Sequence, residues 1–162
     1  FPENSLAAIA ACAEEGAQIA EIDLRQTRDG VLVVLHDASP NKKSNVAHWT
    51  LPPDSNLVSD LSWEELQTKF RLVQDSESGK VTPLGIPSFR DVLGVAKACG
   101  IHLWLENKGN TPLNEIIQVI QQEDAHDRVI LYDTNLQNET MDDMVQKIRS
   151  TFMIKTMPSE MT

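Results

Sequence analysis

Short apolar runs alternate with amphipathic helical stretches along most of this chain, and no other feature restricts its fold as much. Strands separated by helices pair in parallel, in an open α/β sheet or in a barrel. Residues 19–25, 101–106 and 129–132 read as core strands, ending near Asp23, Glu106 and Asp133. After Pro2-Glu3-Asn4-Ser5, the residues Leu6, Ile9, Ala10 and Ala13 recur at helical spacing and stop at Gly16. Ser62 with Glu65 three positions on forms a capping box, predicting a helix to about Phe70. Pro87-Ser88 opens another helix, ended by Gly100, and residues 112–123 place Leu113, Ile116, Ile117 and Ile120 on one face. A last helix is expected over 141–152. Residues 31–36 read as one more strand, 41–56 as an irregular insertion and 73–85 as a polar loop. A complete (β/α)8 barrel takes eight strands and about 250 residues. With three core strands in 162 residues, a barrel reading means part of a barrel.

Charge narrows the partners. The formal net charge is −10, the wrong sign for a nucleic-acid partner, whose phosphates call for clustered Lys and Arg. The longest apolar run, 31–35, is far too short for a membrane span. No charged-then-apolar leader opens the chain, which begins at Phe1 rather than Met. Cys12 and Cys99 lack metal-ligand spacing and are read as buried, reduced thiols. Asn138-Glu139-Thr140 fits a glycosylation acceptor, a pattern too common to decide anything.

The candidate chemistry lies around the second predicted strand. Asp29-Gly30 is a preferred two-residue hairpin turn, with both residues at positive φ. Centring the hairpin there sets Arg25 opposite Val34 and Asp23 opposite His36, and Glu21 shares that face by the two-residue period. Two carboxylates this close raise one another's pKa unless a cation lies between them. An all-oxygen ligand set favours Mg²⁺ or Ca²⁺. The same pattern is also compatible with exposed strand carboxylates beside a surface histidine. Glu106 and Lys108 end the apolar strand Leu103-Trp104-Leu105 and share one side of it. Charges at the C-terminal ends of such strands sit where α/β active sites are built. Glu106 is therefore a candidate third ligand, and Lys108 either a phosphate-neutralising ammonium or an ordinary solvated lysine. His48, His102 and His126 have no such setting and are read as surface residues.

At these residues the sequence resembles the glycerophosphodiester phosphodiesterase family. The match runs through Pro2-Glu3-Asn4-Ser5-Leu6-Ala7-Ala8, Glu21-Ile22-Asp23-Leu24-Arg25, Thr27-Arg28-Asp29-Gly30 and Val31-Leu32-Val33-Val34-Leu35-His36-Asp37. It continues through Leu61-Ser62 with Glu65-Leu66, then Ile86-Pro87-Ser88-Phe89, to Glu106-Asn107-Lys108. The resemblance implies an α/β fold, a partial TIM (β/α)8 barrel of the phospholipase-C-like phosphodiesterase type, with residues 1–162 the N-terminal part of its domain. A small insertion falls at about 38–60. It implies a divalent cation, Mg²⁺ or Ca²⁺, on Glu21, Asp23 and Glu106, with Lys108 on a phosphate oxygen and His36 as general acid. The expected reaction is hydrolysis of a small-molecule glycerophosphodiester to glycerol 3-phosphate and an alcohol. A lysophospholipid substrate, cleaved by a phospholipase D-type reaction on the same site, is the alternative. The family's other histidine belongs to a His-Arg-Gly motif just before the Pro-Glu-Asn, and this chain opens at Phe1, directly after that place. The expectation for the chain alone is an inactive or regulatory fragment. Asn107 stands where the family has an apolar residue.

Overall fold

The structure is a computed structural model that describes residues 1–40, 46–48, 57–74, 80–109 and 111–132. Its centre is a sheet of three parallel strands, β1 (Ile19–Gln26), β5 (His102–Asn107) and β6 (Val129–Tyr132), with β2 (Leu32–Val34) antiparallel on the outer edge of β1. Between β2 and β5 in sequence come β3 (Val46–His48) and β4 (Phe70–Leu72), which pair with each other. The helices are α1 (Leu6–Glu14), α2 (Trp63–Lys69), α3 (Phe89–Cys99) and α4 (Leu113–Gln122).

Alternation along β1 decides which face is covered. Ala20, Ile22 and Leu24 are buried and join Leu103 and Leu105 of β5 under Ile9 of α1, Phe89 and Leu93 of α3, and Ile116 and Ile120 of α4. Each such side chain contributes about 1.5–3 kcal/mol when fully buried. The opposite face carries Glu21, Asp23 and Glu106 towards the C-terminal ends, while Ile19, Trp104 and Ile130 stay 42–49% exposed. A second cluster lies outside β2, where Val33 and Leu35 meet Val58, Leu61, Leu66, Phe70, Leu72 and Ile86.

Local signals set the helix ends. Two of the predicted starts are capping boxes: Ser62 with Glu65 for α2, and Ser88 with Asp91 for α3. Gly100 closes α3 at φ 72°, a left-handed position that suits glycine.

Several expectations fail. The hairpin register is Leu24↔Val34, Arg25↔Val33 and Gln26↔Leu32, one residue away from the predicted pairing. Thr27 pairs with Val31 and accepts from Gly30 N (3.0 Å), so the loop has three residues, 28–30. Gly30 takes φ 84°, but Asp29 does not have positive φ. This is a turn closed by a left-handed glycine, the common three-residue hairpin, rather than the two-residue kind. One extra loop residue moves every facing pair by one. Asp23 therefore faces Leu35, whose N–H donates to the Asp23 carbonyl at 2.9 Å, and not His36.

Part of the supposed irregular insertion is strand β3, and the short stretch between the expected helix end at Phe70 and the polar loop is strand β4. Cys12 and Cys99 are both exposed, not buried. His48 lies in β3 rather than a loop, and His102 opens β5 half-buried, while His126 is exposed as expected. Asp133, the acceptor pattern at Asn138 and the helix expected at 141–152 lie outside the described residues.

Candidate metal centre

β1 and β5 run in parallel with Asp23 level with Glu106. Two carboxylates thus end on one rung, and Glu21, two positions back on the same face, adds a third. One oxygen from each of Glu21, Asp23 and Glu106 lies within 4.8 Å of the others. Asp23 is the buried member, Glu106 is half-buried and Glu21 is exposed.

Asp23 is held from one side only. Asn4 Nδ2 donates to its Oδ2 (2.9 Å), and the Asp23 N–H donates to Asn4 Oδ1 (3.2 Å). Its other oxygen, Oδ1, is buried without a hydrogen-bond partner. Lys108 Nζ stands 3.4 Å from that oxygen, an ion-pair distance without hydrogen-bond alignment, and 3.1 Å from Glu106 Oε2. Burial works against the Lys108 ammonium, but the hydrogen bond to Glu106 and the charges of Asp23 and Glu106 outweigh it. Its pKa stands above the usual lysine value. Desolvation leads the causes that push the Glu21 carboxyl above its ordinary range, although the side chain keeps contact with solvent. The charges of Asp23 and Glu106 add to this, against the pull of Lys108 and His36.

One ammonium therefore faces three carboxylates, and one buried oxygen lacks a donor. A hard divalent cation answers both shortfalls: it takes oxygen ligands only and cancels the excess charge. On this test the residues fit such an ion.

His36 lies past the end of β2, exposed, with Nδ1 hydrogen-bonded to Asp37 Oδ1 at 2.9 Å. It is not level with Asp23; its backbone carbonyl accepts from Arg25, which also reaches the Lys108 carbonyl, so the residue stands at the same rim as Lys108. The structure thus brings Glu21, Asp23, Glu106 and Lys108 together and leaves His36 beside them. Asn4 was missed, because Pro-Glu-Asn-Ser reads only as a helix start. It takes φ 55°, a region that asparagine is among the few residues to tolerate.

The glycerophosphoryl diester phosphodiesterase family model matches residues 1–144. The chain belongs to this family. It is 28% identical over 134 residues to a probable glycerophosphodiester phosphodiesterase 2 of Mycobacterium tuberculosis, covering 81% of this chain and 42% of that protein. The solved glycerophosphoryl diester phosphodiesterase of Parabacteroides distasonis is 30% identical, with a TM-score of 0.67 over 81% of this chain and 41% of that one. A phosphodiesterase of Oleispira antarctica, solved in complex with the product sn-glycerol-3-phosphate, gives a TM-score of 0.67 at 19% identity, covering 92% of this chain and 56% of that one. The chain spans about half the length of these relatives, and its parallel strands form part of a family barrel.

Proposed function

We propose that the protein hydrolyses glycerophosphodiesters to glycerol 3-phosphate and an alcohol, with a divalent cation on Glu21, Asp23 and Glu106. The carrying observation is the cluster itself: three carboxylate oxygens within 4.8 Å, one of those carboxylates holding a buried oxygen without a donor. Family membership supports the reaction class. The glycerol 3-phosphate product bound by the Oleispira relative supports the kind of ligand.

Mg²⁺ or Ca²⁺ bound there would supply electrostatic stabilisation of charge on the phosphoryl oxygens. The chain's own groups do the rest. Lys108, already among the carboxylates, neutralises a phosphate oxygen. His36 acts as general acid. With Asp37 hydrogen-bonded to Nδ1, Nε2 is the atom that hands its proton to the leaving alcohol, and Asp37 orients the ring. The resemblance assigns the opposite proton transfer, from the attacking substrate hydroxyl, to a histidine of the His-Arg-Gly motif; the cyclic phosphodiester formed as the alcohol leaves is then opened by water to glycerol 3-phosphate. Residues 38–60 are read as the family's small insertion, following directly on His36.

The test is release of glycerol 3-phosphate from glycerophosphocholine with Mg²⁺ or Ca²⁺ and with a chelator. Activity should vanish on chelation, and His36→Ala should lower kcat by roughly 10²–10⁴-fold. A His36→Ala variant at full rate removes the assigned acid; indifference to chelation removes the cation.

A further inference from the structure

Arg25 leaves β1 on the same face as Glu21 and Asp23, one step closer to the rim. Its Nε and Nη2 both donate to the His36 carbonyl, at 3.0 and 2.5 Å. Its Nη1 donates to the Lys108 carbonyl at 3.4 Å. One planar guanidinium thus joins the loop after β2 to the loop after β5. A lysine has no fork with which to do the same.

Independent contacts press the Lys108 loop onto this spot. The Lys108 N–H donates to the Leu24 carbonyl at 3.1 Å. Gly109 lies so close that a Cβ there would meet Arg25 Cα at 3.1 Å. At the far side of the loop the buried Asn107 amide pairs with the Thr111 backbone both ways, giving to its carbonyl (2.9 Å) and taking from its N–H (3.2 Å). An arginine that merely satisfied a stray rim carbonyl would need one acceptor. Arg25 takes two, from separate loops, and each acceptor belongs to a residue with an assigned role in the chemistry.

We propose that Arg25 is a positioning residue: its guanidinium fixes the His36 loop and the Lys108 loop relative to each other, and so sets the spacing between the proton donor and the phosphate-holding ammonium. What those two groups do rests on the function proposed above; that Arg25 couples their loops does not.

Two measurements test it. The first is amide hydrogen exchange in the wild type and in Arg25→Gln. Amides next to His36 and at Lys108 and Gly109 should speed up together by about tenfold, the scale of one lost hydrogen bond, while those of α3 stay unchanged. Unchanged rates, or a change in one loop only, overturn the coupling. Gly109→Ala keeps the Arg25 side chain but sets a Cβ against the Arg25 backbone, pushing the Lys108 loop away, so it should speed exchange at Lys108 without touching the His36 side; no effect at Lys108 counts equally against the proposal. The second is calorimetric binding of sn-glycerol 3-phosphate in the presence of Ca²⁺. Arg25→Gln and Arg25→Lys should both bind about tenfold more weakly, with Ca²⁺ affinity held within about twofold. Wild-type affinity in Arg25→Lys would show that charge, not the fork, matters, and the proposal fails. If the wild type itself ignores sn-glycerol 3-phosphate, the function proposed above fails, and the exchange rates still decide the role of Arg25.

Discussion

Asn4 spends an unusual backbone conformation, φ 55°, to turn its amide onto Asp23, and that one contact leaves Asp23 with a single oxygen to offer. Asn4→Ala should therefore weaken Ca²⁺ or Mg²⁺ binding by about 10–100-fold, the usual effect of losing a group that orients a ligand. Asp23→Asn should weaken it further, because a charged ligand is lost outright. Calorimetric titration checks both, and equal affinities in wild type and Asp23→Asn would remove Asp23 from the ligand set. Glu106 was legible because it nearly closes an apolar strand, and Glu21 and Asp23 because period two sets both on one face of theirs. Asn4 was not, since its partner lies 19 positions away and no local pattern announces such a link. His36 was proposed on an argument whose register was one residue off. It reaches the rim because the chain leaves β2 there, not because it faces Asp23.

Among the elements, the β1–β2 hairpin does more than reverse the chain. Its tip is strapped to the start of α2: the Asp29 carboxylate accepts from the Trp63 N–H (2.9 Å), Arg28 N donates to the Leu61 carbonyl (2.8 Å), and the Arg28 side chain pairs with Glu65 (3.1 Å). The hydrogen bond from Ser62 N, then that from Lys69, hold the Glu65 carboxyl down at about 2, against an ordinary 4.5. Asp29 is lowered too, first by the Thr27 hydroxyl. A carboxyl depressed in the fold adds stability above its unfolded pKa and loses it as pH falls through the folded one. The thermal midpoint should thus drop between about pH 4.5 and pH 2, and the Asp29→Asn/Glu65→Gln pair should flatten that drop; melting curves across this range decide it. Gly30→Val should cost about 1–2 kcal/mol, because a Cβ is strained at φ 84°, and urea unfolding measures that. Helices with capping boxes were readable from sequence to within a residue or so. β3 and β4, three residues each, were not, because so short a stretch carries no period, and only their pairing makes them strands.

At the scale of the whole molecule, two apolar clusters meet across β2, which gives Leu32 and Val34 to one and Val33 to the other, joined there by Leu35 just past its end. Phe70, fully buried in the outer cluster, should cost about 3–5 kcal/mol when cut to alanine, with exchange protection lost first around α2 and the hairpin tip and last in β5. The alternation in the sequence foretold the parallel core strands, whereas the outer cluster depends on residues brought together over β2 and had no sequence signal. The level rung between Asp23 and Glu106 has its own consequence for how the chain folds. The strands that meet there are far apart in sequence; Arg25 and Lys108, at the same rim, are 83 positions apart. Slide β5 by one place against β1, and Leu105 or Asn107 takes the rung and every side chain changes face. Such a mispaired chain presents two carboxylates and no third, so an ion gives it little. Long-range pairing is the slow part of folding, and a cation held by the proposed ligands would therefore reward only chains that have already passed it, acting as a proofreader of strand register rather than as a seed for collapse.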